Sequence, residues 1–130
     1  MKRSLTGPEL SAAAREAVGE VLDWVRNPDQ LSAPGRNQQA QAVRLSTALL
    51  ADLAPGNSVE VRVPPFAAVQ CIAGPDHRRG TQPNVVQCTP LVWLRLVVGE
   101  EEFASSEADS SGTRAIEVGA HLPLLRFPTG

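Results

Sequence analysis

The chain has 130 residues, of which 42% are apolar and 20% are charged, and its formal net charge is −2. This length suits one domain that buries a hydrophobic core without the help of disulfides or metals. The balanced charge argues against nucleic-acid binding driven by bulk electrostatics. No apolar run reaches the roughly 18 residues of a membrane span. The first residues lead into no apolar segment of the signal-peptide type, so the sequence predicts a soluble, cytoplasmic protein.

Two amphipathic helices are predicted first, over residues 8–26 and about 37–53. In both, apolar residues recur at spacings of three and four, which places them on one helix face. Asn27-Pro28 ends the first helix, because the residue before a proline disfavours helical backbone. The predicted core face of the second helix consists of Ala42, Val43, Leu45, Leu49, Leu50 and Leu53. We predict that this helical pair, residues 1–56, packs against a core formed by residues 57–130 within a single domain, 1–130.

The periodicity then changes from 3.6 to 2, which predicts strands. Residues 58–63 alternate strictly, so Val59, Val61 and Val63 are expected to face the core. Residues 66–72 are apolar on both faces apart from Gln70. This pattern predicts a central strand that is covered on both sides.

A short helix over residues 91–98 is predicted from its caps as well as its composition. Thr89-Pro90 supplies an N-cap and a first-turn proline, and Gly99 is a suitable residue just past the C-terminus. The helix is apolar nearly all round apart from Arg95. Such a helix is either part of the core or the lining of an apolar cavity, and the pattern alone favours neither reading decisively.

Three weaker elements complete the prediction: a strand over residues 84–88, a strand over residues 107–111 and a last helix over residues 114–122. Strands segregated from helices indicate an α+β domain. The short connections between the strands favour a mostly antiparallel sheet covered by helices.

No arrangement of residues typical of an enzyme stands out. The closest group is Asp76-His77-Arg78-Arg79, in a polar loop. Adjacent Asp and His side chains in a loop diverge, so a solvated basic loop is favoured over general acid–base chemistry, and anion capture by Arg78 and Arg79 remains an alternative. Glycine-rich phosphate loops are missing. The sequence therefore predicts no catalytic activity and no cofactor.

The two cysteines, Cys71 and Cys88, form no CxxC pair, and neither His77 nor His121 stands at a metal-ligand spacing from them. Both lie in apolar, strand-like runs. We therefore predict two small buried hydrophobic side chains and no metal site or disulfide.

Four motifs in order resemble a known family: SVEVRVPPFAAVQCI at 58–72, GPDHRRGTQPNVV at 74–86, TPLVWLRL at 89–96 and SGTRA at 111–115. They resemble the sterol carrier protein type 2-like superfamily, and more closely its small actinobacterial sterol carrier branch, the bacterial ortholog domain. The N-terminal helices are also similar to that branch. The resemblance implies a sheet layered with helices around a hydrophobic tunnel for sterol or fatty-acyl ligands.

The same module is similar to the C-terminal domain of mycothiol-dependent maleylpyruvate isomerases, whose metal histidines belong to a separate helical bundle. His77 and His121 do not reproduce such a site, so the resemblance does not carry that activity over. The segment between Gly99 and Gly112 is shorter and more polar than the family pattern. A cavity that is shallower, open or absent is therefore expected.

The resemblance predicts non-catalytic binding of a lipid or other apolar small molecule in a cavity between the sheet and the predicted helices over residues 91–98 and 114–122. Trp93 is expected to offer its indole N–H at the mouth. Arg78 and Arg79 are expected to hold an acidic head group. The expected apolar walls are Val69, Cys71, Trp93, Leu94, Val97 and Phe103. The alternative is a structural or protein-interaction module, a homodimer included, whose cavity is filled by its own side chains.

Overall fold

A computed structural model describes residues 5–74 and 82–128 of the chain. Within these two ranges the chain forms three α-helices: α1 (Gly7–Arg26), α2 (Arg36–Leu53) and α3 (Pro90–Val98). The strands are β1 (Val59–Val63), β2 (Ala67–Cys71), β3 (Val85–Gln87) and β4 (Asp109–Ser111). In the described range 82–128, two 3-10 helices, Phe103–Ser105 and Ala115–His121, lie on either side of β4 in the sequence, the second where an α-helix was expected. The predicted α+β class is confirmed.

The four strands form one sheet in the order β2-β1-β3-β4. β1 is antiparallel to β2, and β3 is antiparallel to β4, whereas β1 and β3 are parallel. The sheet is therefore mostly antiparallel, as predicted, with one parallel pair at its centre. β1 and β3 are parallel because β3 starts beside the first residues of β1, on the same side of the sheet where β2 finishes.

The central strand is β1, and its alternating valines are fully buried as predicted: Val59, Val61 and Val63. The prediction that residues 66–72 form a central strand covered on both faces is wrong, because β2 lies at one edge of the sheet. The helix α2 packs on β2, and alternate residues of the strand, Ala68 and Gln70, are exposed. Alanine gave a misleading signal, because its small apolar side chain is tolerated at exposed positions.

The helices α1 and α2 pack against each other, and both contact α3. The predicted apolar face of α1 is buried except at Trp24, which is half-buried. In α2, Leu53 is 59% exposed, contrary to prediction, whereas Ser46 and Thr47 are buried. These two hydroxyls are compatible with burial because each donates to the carbonyl four residues earlier, over 2.6 Å for Ser46 and 2.9 Å for Thr47.

The predicted caps of α3 are confirmed. The Oγ1 of Thr89 accepts a hydrogen bond from the Val92 amide at 3.2 Å. Gly99 adopts the left-handed conformation, with φ 83°, that ends a helix. Five residues of α3 are buried, on a face that spans about 200° at 3.6 residues per turn: Val92, Trp93, Leu94, Leu96 and Val97. Leu91, Arg95 and Val98, on the remaining side, are half-buried.

Both cysteines are unpaired and buried, as predicted. Burial disfavours the thiolate and raises the pKa of Cys71 to about 11 and that of Cys88 to about 12. Since the thiolate is the reactive form, we expect iodoacetamide at about pH 8 to label neither thiol in the folded protein and both in denaturant. Mass spectrometry after timed labelling measures this, and fast labelling of either folded thiol would contradict it.

The same pKa shifts predict the direction of the pH dependence of stability. Thiols in the unfolded chain ionise above their ordinary pKa of 9.0, whereas the folded thiols remain protonated. The unfolded state then binds fewer protons than the folded state, so the free energy of unfolding falls as the pH rises from about 9 towards 11 and 12.

Candidate functional site

A cleft of about 850 Å³ lies beside β4. One of its lining residues, Ser110, pairs in register with Val86, which in turn pairs with Val61. Both valines are fully buried on the face of the sheet that carries the core. The cleft therefore opens on this same face, at the β4 edge, where the core reaches solvent.

Three parts of the chain form the walls of the cleft: the end of α3, the segment 101–108, and residues 116–126. The apolar lining residues are Val98, Phe103, Ala104, Ala108, Ile116, Leu122 and Pro123. Ile116 is 67% exposed, and Phe103 and Leu122 are half-buried. These side chains present apolar surface to water that a ligand would cover.

The wall at residues 101–108 is anchored to α3 by Arg95. The guanidinium of Arg95 pairs with Glu101, with 3.0 Å between Nε and Oε1, and its Nη1 donates to the Val25 carbonyl at 2.5 Å. The Arg95 carbonyl also accepts the Glu100 amide at 2.9 Å. The short polar segment after Gly99 thus forms one side of the cleft.

Gly119 allows two walls to meet closely. A Cβ atom at this position would lie 3.1–3.3 Å from the side chain of Phe103, tighter than most van der Waals contacts. The absence of a side chain therefore lets the second 3-10 helix pack directly against the Phe103 ring.

The third wall continues into residues 122–128, which we call the C-terminal strap. The amides of Leu124 and Leu125 both donate to the Val97 carbonyl, at 2.9 and 3.1 Å. Arg15 of α1 donates from Nη1 to the Arg126 carbonyl at 2.9 Å, and its guanidinium carbon lies 5.0 Å from the centre of the Phe127 ring. A second arginine of α1, Arg26, donates to the Pro128 carbonyl at 2.9 Å. The strap is therefore held between α3 and α1.

Three charged residues line the cleft: Glu101, Glu102 and Arg126. The charge of Glu101 is compensated by Arg95. Glu102 and Arg126 are both exposed. Within the described ranges, the side chain of Arg126 has neither an ion pair nor a hydrogen bond.

Of the apolar residues predicted to form the site, Phe103 lines the cleft. Trp93, Leu94 and Val97 are fully buried in α3. The indole Nε1 of Trp93 donates to the Ser46 Oγ of α2 at 2.9 Å, so this donor lies inside the protein and is already occupied.

The remaining predicted residues lie elsewhere. Val69 is half-buried and Cys71 is buried on β2, the strand at the opposite edge of the sheet from β4. The structure therefore does not bring these two together with Phe103 at the cleft. Arg78 and Arg79, together with His77, lie outside the described residues.

Sequence reasoning missed Ile116, Leu122, Pro123 and Arg126 as lining residues. Ile116 and Leu122 lie in the predicted helix over residues 114–122, which was expected to border the cavity, but neither was named as a wall. Pro123 and Arg126 follow that helix, outside any periodic pattern. The available signal was the apolar run 122–125, which follows directly on the last predicted helix. A run of this kind outside any helix or strand indicates a segment that packs on the body of the domain.

Within residues 5–74 and 82–128, no group of three or more His, Cys, Asp or Glu side chains is placed to hold a metal ion. A search of the helices in the same ranges finds none whose length and hydropathy would let it cross a membrane.

A family model described as bacterial SCP ortholog, where SCP stands for sterol carrier protein, matches residues 35–124. The matched span begins at α2 and includes the whole sheet, α3 and most of the cleft lining. It leaves out α1, as well as Arg126 and the rest of the strap beyond residue 124. No curated protein matches the chain.

Proposed function

The chain belongs to the bacterial SCP ortholog family, and from that premise we propose that it binds a lipid or other apolar small molecule. The ligand would occupy the cleft beside β4 and would leave chemically unchanged. Domains like those of sterol carriers are typically non-catalytic carriers, which supports binding over catalysis.

The observation that carries this proposal is the apolar lining of the cleft. Small-molecule sites are concave and mostly apolar, with a few polar groups that fix the orientation of the ligand. Apolar surface removed from water is worth about 25 cal/mol per Å². The Phe103 ring and the aliphatic side chains of Ile116 and Leu122 would supply such surface, and the exposed Ser110 would supply a polar contact.

The chemistry of the lining also supports binding. Its described residues include neither histidine nor cysteine. The hydroxyl of Ser106 donates to the Phe103 carbonyl at 2.8 Å, so its proton is directed at a backbone oxygen and not at a side chain that could act as a general base.

The direct test is a titration of the delipidated protein with Nile red, a neutral apolar fluorophore. Native mass spectrometry of the protein as purified from its own host looks for a bound molecule in parallel. We expect saturable fluorescence enhancement with one dye per chain and an adduct that an organic extraction removes. Absence of both signals would refute the proposal.

Replacing Ile116 by Glu tests the location of the site. Because burying an isoleucine side chain is worth about 1.5–3 kcal/mol, we expect Ile116→Glu to weaken Nile red binding at least about tenfold. Leu53→Glu is the matched control. Leu53 is 59% exposed, which is close to the 67% of Ile116, but it lies on α2 and does not line the cleft. Both variants should unfold at the same temperature as the parent. Equal weakening by both substitutions would place the site elsewhere.

A structural or protein-interaction module is the second candidate, and the packing around Trp93 favours it. The indole fills the space under α3 and is tied to Ser46, so the space that could have formed a tunnel there is occupied by a side chain. This candidate predicts no Nile red binding. It also predicts self-association that sedimentation equilibrium would detect, with an interface of at least roughly 1,000 Å².

A further inference from the structure

Arg126 stands apart from the other arginines of the described ranges. Eight arginines lie there. Seven of them have a partner for the side chain: Arg15, Arg26, Arg36, Arg44, Arg62, Arg95 and Arg114. The eighth, Arg126, has none within those ranges, and it lines the apolar cleft.

The backbone that carries Arg126 is fixed on both sides. Its own carbonyl accepts Arg15 Nη1 at 2.9 Å, and the preceding amide, of Leu125, donates to Val97 at 3.1 Å. The following residue, Phe127, lies against Arg15, with its ring centre 5.0 Å from the guanidinium carbon. The guanidinium of Arg126 therefore projects from an anchored segment, which limits the entropy lost when it binds a partner.

The charges around the cleft leave this cation available. Glu101 is compensated by Arg95, and Glu102 is the remaining acidic residue among those that line the cleft. Both Glu102 and Arg126 are exposed, so water screens their mutual attraction. A neutral oxygen accepts at most an ordinary hydrogen bond from Arg126, whereas an anionic group accepts shorter and stronger hydrogen bonds from its forked donors.

We propose that Arg126 recognises the carboxylate of an amphiphile whose aliphatic tail lies along Phe103, Ile116 and Leu122. This inference rests on the proposed function and adds the residue that selects among apolar ligands by the charge of their head group. A single planar guanidinium matches a single carboxylate in charge and in geometry. The family match ends before Arg126, so this recognition belongs to the part of the chain outside the matched span.

The test compares dodecanoate with its neutral methyl ester, by isothermal titration of the full chain at about pH 8, where the carboxylate is ionised. We expect the acid to bind about tenfold more tightly than the ester, because the ester replaces a charged, bidentate acceptor by a single neutral carbonyl oxygen. Monododecyl phosphate serves as a second anion, and tighter binding of the phosphate than of the carboxylate would overturn the carboxylate assignment.

Arg126→Gln is expected to abolish the preference for the acid while ester binding stays unchanged. Arg126→Lys should keep part of it, because lysine retains the charge but not the fork. Arg36→Gln removes the same charge from a residue that lies over the Phe66 ring and does not line the cleft, and it should leave the preference intact. If acid and ester bind equally to the parent protein, the carboxylate proposal fails and the apolar site stands. If neither binds, both proposals fail.

Discussion

Replacing Trp93 by alanine is expected to lower the free energy of unfolding by about 3–5 kcal/mol. The side chain is fully buried, among the largest in the core, and packs under α3. The substitution leaves a cavity between α3 and α2. It also removes the hydrogen bond that the Trp93 Nε1 donates to the Ser46 hydroxyl at 2.9 Å. Urea denaturation followed by far-UV circular dichroism measures the loss.

Two further substitutions separate packing from hydrogen bonding at this position. Trp93→Phe keeps an aromatic ring and removes the donor, so it should cost less than Trp93→Ala. The other tryptophan, Trp24, is half-buried on α1, and Trp24→Ala is the matched control with a smaller expected loss. Equal losses for the two alanine variants would show that the indole of Trp93 is not tightly packed. Space beside α3 could then hold the ligand, as expected from the sequence.

Gly112→Ala is expected to be the second strongly destabilising change, with a loss of about 3 kcal/mol. Gly112 has a φ of 87°, a conformation that costs an L-residue roughly 1–2 kcal/mol. An added Cβ would lie 2.3 Å from both Asn84 Oδ1 and the Pro83 carbonyl oxygen. These atoms cannot move freely, because the same Asn84 oxygen accepts the Arg114 amide at 3.0 Å and its Nδ2 donates to the Ser58 carbonyl at 3.0 Å. Displacing this buried amide costs a further 1–3 kcal/mol, roughly.

Gly99→Ala isolates the steric part of this effect. Gly99 has a φ of 83°, close to that of Gly112, yet a Cβ there would meet only Pro123, at an ordinary 3.5 Å. We expect its loss to be limited to the conformational cost of about 1–2 kcal/mol. Both variants can be compared by thermal and urea denaturation. A loss at Gly112 no larger than that at Gly99 would contradict the role assigned to the Asn84 side chain.

Local patterns predicted most of the secondary structure, because the interactions that determine those elements are themselves local. The alternation of Val59, Val61 and Val63 reports burial on one face of a strand, and it is observed. Thr89 and Gly99 cap α3 through contacts within a few residues, so their identity is sufficient to predict the helix ends.

The position of each strand in the sheet depends on distant pairing, which periodicity does not encode. For this reason β2 was expected at the centre and lies at an edge. Trp93 shows the same limit for the site. A fully buried side chain and a cavity-lining side chain both require an apolar residue, so the pattern of α3 could not distinguish the observed contact with Ser46 from an open pocket.

Of the residues named as walls, Phe103 lines the cleft, and the two segments predicted as bordering helices, 91–98 and 114–122, contribute Val98, Ile116 and Leu122. The rest of the lining comes from parts of the chain without periodicity. Ile116 is exposed whereas the apolar residues near it in sequence, Ala115 and Val118, are buried, and Arg126 lies in a segment that has no regular structure. The family resemblance supplied the class of ligand and the general location between sheet and helices. It could not supply Arg126, which lies beyond the matched span.

The hydrogen bonds that join Arg15 and Arg26 to the C-terminal strap connect residues 101–111 positions apart. Contacts between positions so distant along the chain form late, since a large loop must close before they contribute any stability. We therefore expect the cleft to be completed after the sheet during folding. Because α1 holds the strap that forms one wall, we also expect the cleft to be lost when α1 unfolds locally. A bound molecule would in turn hold α1 in place, so hydrogen exchange of the α1 amides should slow on saturation with ligand even though α1 does not touch it.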